Sequence, residues 1–193
     1  MDHFVSTGEM LKQWSPEEPV YCIYPHVFRS VARHFVEGFP GRVLYAVKAN
    51  DDPAVLKDLS AGGIRHFDCA SLPEVVLVKN SCPDSTVYFM VPVRLRGAAR
   101  IAQEIHGVRH FMIDHISALA PLAREIDMNK SVVFVRMAVH HDAALQILSS
   151  KFGAKPTEVP GLLEAVRAAG ADPALAFYVG SSVSRPGAYR PAI

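Results

Sequence analysis

No stretch of this sequence is apolar for long enough to cross a bilayer, which takes about 20 predominantly apolar residues. The N-terminus, Met1-Asp-His-Phe-Val-Ser-Thr-Gly-Glu-Met10, lacks both the basic and the apolar region of a secretory signal. These absences predict a cytoplasmic protein. Basic runs are missing too: 20 Lys and Arg against 19 Asp and Glu leave a net charge of +1, which argues against nucleic acid or a membrane surface as partner. Small-molecule chemistry is left as the default. Cysteine is scarce, and Cys22, Cys69 and Cys82 are an odd number at no metal-ligand spacing, so reduced thiols are the simplest reading. The histidines are scattered except for His140-His141-Asp142. Neighbours on an extended chain point apart, and this cluster reads as a polar loop with no metal. There is no internal repeat and no low-complexity segment.

What is present is enough for one domain. The chain has 193 residues, of which 50% are hydrophobic, so a real core can be buried. It is too short for a complete (β/α)8 barrel, which typically takes about 250 residues. Residues 1–19 read as a polar arm with a short helix around Glu9 to Trp14. A strand is predicted over Val20–Tyr24, ended by Pro25, and an amphipathic helix follows in which Val27, Phe28, Val31, Phe35 and Val36 share one face. From there the alternation is regular, with strands at Val43–Val47, Arg65–Cys69, Thr86–Met90, Arg109–Ile113, Val132–Met137 and Leu175–Val179. Helices at about 53–60, 72–80, 96–106, 116–127 and 157–169 separate them, and Ser71-Leu-Pro-Glu74 is a capping box with proline in the first turn. Strands alternating with helices mean parallel βαβ units. Two units are expected, an arm with first strand over 1–25 and a partial barrel over 26–193.

The stretch that organises the chain is Arg42-Val-Leu-Tyr-Ala-Val-Lys48-Ala-Asn-Asp-Asp-Pro53. Val43 to Val47 read as a strand buried on both faces. A lysine at its end would lie beside low-dielectric core, which disfavours the ammonium and frees the amine as a nucleophile. The alternative is a strand-end lysine that reaches out to water. Lys48, Asp68, Asp114, Arg136 and Tyr178–Ser181 all fall at the C-terminal ends of their strands, where barrel enzymes place their chemistry. Arg136 lies inside an otherwise apolar strand and needs a carboxylate or similar partner.

Five motifs in order, Tyr45-Ala-Val-Lys48, Phe67-Asp-Cys-Ala-Ser71 with Glu74, Phe134-Val-Arg136-Met, Ser150-Lys-Phe-Gly153 and Phe177-Tyr-Val-Gly-Ser181, resemble those of a known family. It is the fold type III pyridoxal-phosphate (PLP) family of ornithine, diaminopimelate and arginine decarboxylases. The resemblance implies the first part of such an enzyme: an α/β fold, an incomplete (β/α)8 TIM-type barrel of the alanine racemase kind with about six of eight strands. The C-terminal β-domain is missing from this expectation. Pyridoxal 5'-phosphate would be held by Lys48, and Asp68 would favour the ammonium form of that lysine. The resemblance further implies Asp68 as the partner of Arg136, and a phosphate contact at Ser181. Tyr178 stands where the family usually has a histidine stacked on the cofactor. Glu74 has two roles open, helix cap or a carboxylate near the cofactor ring. Lys151 resembles the lysine that family dimers use across their interface.

The family's Glu-Pro-Gly-Arg segment, glycine-rich phosphate loop, catalytic cysteine and substrate-binding aspartate have no counterpart here. The expected activity is decarboxylation of a basic amino acid, L-ornithine to putrescine for polyamine synthesis, by a homodimer. Lysine, diaminopimelate and carboxynorspermidine compete as substrates. A non-catalytic homologue that binds and regulates a family enzyme is the alternative of another class.

Overall fold

A computed structural model of the chain describes residues 3–139, 151–180, 183 and 185–192. Six strands form: β1 (Leu44–Ala46), β2 (His66–Cys69), β3 (Thr86–Phe89), β4 (His110–Ile113), β5 (Val132–Met137) and β6 (Asp172–Phe177), with β-branched and aromatic residues concentrated in β3 and β5. They form one sheet in chain order, every neighbouring pair parallel. Parallel neighbours need a crossover. Helices α3 (Pro53–Ala61), α4 (Leu72–Ser81), α5 (Ala98–Glu104), α6 (Leu119–Ala123) and α7 (Val159–Ala168) supply one for each pair, after α1 (Thr7–Trp14) and α2 (Pro25–Gly38). A strand order that never reverses is the winding of a barrel, not of a doubly wound sheet. Among the described residues β1 pairs only with β2 and β6 only with β5, so six strands of the expected TIM-type wall are open at both edges.

Strand register decides which side chains share a face. Cys69, Phe89, Phe111 and Val133 are aligned across β2 to β5, and all four are at most 1% exposed. Leu56, Val75, Val78, Ala102, Leu122 and Val166 belong to the same core. This outer face, under the helices, holds most of the hydrophobic stabilisation, at about 1.5–3 kcal/mol for each large apolar side chain fully buried. The opposite face carries a different row, Ala46, Asp68, Tyr88 and His110. Here the Tyr88 ring stacks on His110 with centroids 4.0 Å apart, and His66 meets Tyr88 edge-on at 5.8 Å.

Local capping chemistry marks the helix starts. Ser71 Oγ accepts the Glu74 N–H at 3.3 Å and opens α4, and Asp52 Oδ1 accepts the Ala54 N–H at 2.7 Å to open α3 ahead of Pro53. At Gly62 the chain passes so close to α2 that a Cβ would stand 2.6 Å from the Arg29 carbonyl oxygen, and Arg29 Nη2 pairs with Asp58 Oδ1 at 2.7 Å beside it.

Four sequence expectations are corrected. Val20–Tyr24 has strand composition but pairs with none of the six strands; the Tyr24 carbonyl instead accepts the Val27 and Phe28 N–H groups in the first turn of α2. β1 is half-exposed throughout, not buried on both faces, because it lies at an edge. The helix expected over 116–127 is a 3-10 turn followed by the short α6. Pro121 has no N–H to donate and is tolerated only in a first turn, which fixes the start near Leu119. β6 begins three residues before the expected Leu175, at Asp172-Pro173, because pairing with Val132 and Val133 of β5 overrides the weak strand preference of those two residues. An edge strand tolerates the proline. Among the described residues no helix is long and apolar enough to cross a membrane. His140-His141-Asp142 lies outside the described residues.

Candidate functional site

The C-terminal rim of the sheet carries the ionisable groups. β1 ends at Ala46 and turns through one 3-10 turn, Val47–Ala49. Val47 is fully buried and anchors that turn, which leaves Lys48 exposed. The amine is therefore solvent-accessible rather than set against core, which is the second of the two readings open from the sequence, a strand-end lysine that reaches out to water. Val47 takes the apolar position and the tight turn swings the next residue out.

Ala46 is the register partner of Asp68 on β2. Burial pushes the Asp68 carboxyl up to about 6; Lys48 and Arg136 pull it down, and Glu74 raises it further. Asp68 is thus half-buried, close to an exposed lysine, and poised to gain or lose a proton near neutrality. Lys48 and Asp68 come together as the sequence implied.

Glu74 has a defined structural job. Its Oε2 accepts the Ala70 N–H at 2.8 Å, while its own N–H bonds the Ser71 hydroxyl. The side chain thus closes the β2–α4 turn and still acts on Asp68 by charge.

Arg136, on β5, is half-buried and its guanidinium Cζ lies 5.2 Å from the Phe152 ring centroid and 5.8 Å from that of Tyr178. Among the described residues it makes no ion pair within salt-bridge distance, so a direct bond to Asp68 is not what holds it. Burial lowers its pKa, opposed first by Asp114, then by Tyr178 and Asp68. Two aromatic faces, Phe152 and Tyr178, and two carboxylates, Asp114 and Asp68, surround the cation instead. Tyr178 follows β6 and is 42% exposed. Lys151 is exposed, and Ser181 lies outside the described residues.

Two contributors were missed as site residues. Phe152 stood inside the Ser-Lys-Phe-Gly motif without a role, although an aromatic next to a glycine in a loop can reach a cation. Arg94 follows β3 and donates from Nη1 to the Met112 carbonyl at 2.7 Å and to the Val91 carbonyl. An arginine after the apolar Val91-Pro-Val was the available signal.

These residues fit an aldehyde cofactor with a flat ring. An accessible primary amine at Lys48, a carboxylate beside it that titrates near 6, and an arginine between aromatic rings can bind a carbonyl, manage its protons and face a flat ring. Among the described residues no three His, Cys, Asp or Glu side chains are grouped to hold a metal ion.

Comparison with known proteins agrees with that donor set. The family described as pyridoxal-dependent decarboxylase, pyridoxal binding domain, matches residues 26–193. The ornithine decarboxylase of Leishmania donovani is 34% identical over 186 residues, 93% of this chain and 26% of that one. The lysine/ornithine decarboxylase of Selenomonas ruminantium is 35% identical over 153 residues, 78% of this chain and 38% of its own. Among solved structures, an SrLDC mutant in complex with PLP superposes with a TM-score of 0.82 at 28% identity, over 98% of this chain and 50% of the other. The chain thus spans half of that solved chain and well under half of both curated relatives.

Proposed function

The chain belongs to the pyridoxal-dependent decarboxylase family, through its pyridoxal binding domain, and from that premise we propose that the protein carrying it decarboxylates a basic amino acid, L-ornithine before L-lysine. The cofactor is pyridoxal 5'-phosphate, and the product from ornithine is putrescine, a polyamine precursor. The observation that carries this reading is the register of Ala46 with Asp68, which brings an exposed lysine and a half-buried carboxylate to one rim.

Lys48 would hold the cofactor through its amine, Ser181 would contact its phosphate, and Tyr178 would offer an aromatic face. When bound, the cofactor supplies an electron sink for charge developing at the substrate's Cα. Asp68 holds or releases a proton at Lys48 Nζ, a task that suits a group titrating near 6. Arg136 favours the charged form of that carboxylate as Lys48 does, and its own place is kept by Phe152 and Tyr178. Glu74 fixes the backbone immediately after Asp68.

The whole protein would be a homodimer that uses the exposed Lys151 at its interface, with residues 26–193 forming the larger part of the barrel and residues 1–25 an arm. Ornithine is preferred because Tyr45-Ala-Val-Lys48, Phe67-Asp-Cys-Ala-Ser71 and Lys151-Phe-Gly-Ala154 most resemble that branch.

One observation favours a second reading. Tyr178 cannot act as an imidazole donor or proton carrier, and a non-catalytic homologue that pairs with an active family enzyme would tolerate that change. Mixing with an active dimer would then lower its activity in proportion to heterodimer formed, and no complex at micromolar concentration removes this alternative.

The deciding experiment is Lys48→Ala in the protein that carries this chain. It should abolish both the visible absorbance of bound pyridoxal phosphate and carbon dioxide release from L-ornithine. Turnover retained by that variant overturns the assignment.

A further inference from the structure

Phe152, Gly153 and Ala154 lie at the rim, where backbone bonds tie Ala154 to the end of β5 and to Ala138 after it. Ala154 N–H donates to the Arg136 carbonyl at 2.8 Å, and Ala138 N–H donates to the Ala154 carbonyl at 2.9 Å. Just before Ala154, Gly153 adopts a φ of +105°, and a Cβ there would stand 2.6 Å from the Ala138 nitrogen. Only glycine fits so close an approach. Among the described residues a side chain from another strand end bonds this segment: Asp114, which follows β4, accepts the Gly153 N–H on Oδ2 at 3.2 Å. The same turn carries the Phe152 ring over the Arg136 guanidinium.

We propose that Asp114 is a positioning residue for the cofactor site. Its hydrogen bond to Gly153 ties the β4 rim to the Phe152–Ala154 turn and so holds the ring that keeps Arg136 in place opposite Asp68. The charges along the rim support it. Asp114 lies between two guanidiniums, those of Arg94 and Arg136, each with its charged form favoured by Asp114 against the effect of burial. Arg94 is itself fixed to the Met112 carbonyl, two residues before Asp114. Signs therefore alternate from Glu125 through Arg94, Asp114, Arg136 and Asp68 to Lys48, and Glu125 is anchored on the first turn of α5 by the Gly97 and Ala99 N–H groups. Removing Asp114 deletes the carboxylate that acts on both Arg94 and Arg136 and leaves the Gly153 N–H without its acceptor.

This inference rests on the cofactor reading above, and its test separates the two. In the full protein, Asp114→Ala and Asp114→Asn are compared with wild type by hydrogen exchange at the Gly153 amide and by absorbance titration with pyridoxal phosphate. Asp114→Ala should lose at least about 10-fold of Gly153 protection and weaken cofactor binding about 10-fold, with global unfolding unchanged enough to keep residues 86–89 protected. Asp114→Asn, whose amide oxygen can still accept, should restore the protection and most of the affinity. Unchanged Gly153 protection in Asp114→Ala overturns the positioning role whatever the cofactor does. Lost protection with unchanged affinity overturns it as well, because the turn would not serve the site. A wild-type protein that binds no pyridoxal phosphate overturns the cofactor reading, and the claim on this site with it.

Discussion

Ala46 on β1 stands in register with Asp68 on β2, and Asp68 in turn with Tyr88 on β3. This alignment puts the carboxylate on the inner face of the sheet, level with the turn that exposes Lys48. Its burial has a consequence for stability. The carboxyl is pushed from an ordinary 3.8 to about 6, so the folded state favours the neutral acid. The advantage of the neutral form is complete below about pH 4 and is lost as the pH rises through 6.

Asp68→Asn should therefore stabilise the cofactor-free protein at pH 7.5 by about 1–2 kcal/mol, a shift of two pKa units discounted for partial exposure. At pH 4 the gain should vanish. Urea denaturation at both values checks this, and equal effects at the two would contradict it. Cofactor binding should suffer in the same variant.

Glu74 separates into its two jobs by substitution. Glu74→Gln keeps an oxygen for the Ala70 N–H, so stability should change by less than about 0.5 kcal/mol, whereas Glu74→Ala should cost about 1 kcal/mol. Both variants remove the charge that raises Asp68. A carboxyl NMR titration should show the Asp68 pKa lowered in each.

Gly153→Ala places a methyl 2.6 Å from the Ala138 nitrogen and forces a side chain onto a φ of +105°. We expect a loss of about 2 kcal/mol or a displaced turn. Near-ultraviolet circular dichroism together with thermal unfolding reports which occurs. A variant indistinguishable from wild type in both would show that the turn is not fixed as described.

Phe111 is fully buried between Phe89 and Val133. Phe111→Ala should cost about 3–5 kcal/mol through lost transfer energy and the cavity left behind. The midpoint in urea should fall without a change in slope, since the surface exposed on unfolding barely alters.

Strand and helix identity was legible because each apolar run was bounded by its own turn chemistry. Ser71-Leu-Pro-Glu74 marks the start of α4, and Val132–Met137 is a strand with the boundaries expected. The alternation of the two types predicted a parallel sheet, and the order of the motifs along the chain pointed to the family. Lys48 and Asp68 could be found because strand ends converge on one rim by topology alone.

Other features required the fold. Whether Val47 or Lys48 faces the core depends on one 3-10 turn, and a rotation of that size leaves no trace in residue type. The start of β6 was set by pairing with β5, a contact 40 residues away in sequence. Val20–Tyr24 had the composition of a strand but, among the described residues, joins none of the six strands. Arg136 announced that it needed company, yet only packing could say that this company is Phe152, Tyr178 and Asp114 before Asp68. Sequence by itself determined the local elements and the chemistry they can carry, because capping, alternation and turn residues act over a few positions. Tertiary structure alone decided which groups meet and which are desolvated, because those outcomes depend on distances between segments far apart in the chain.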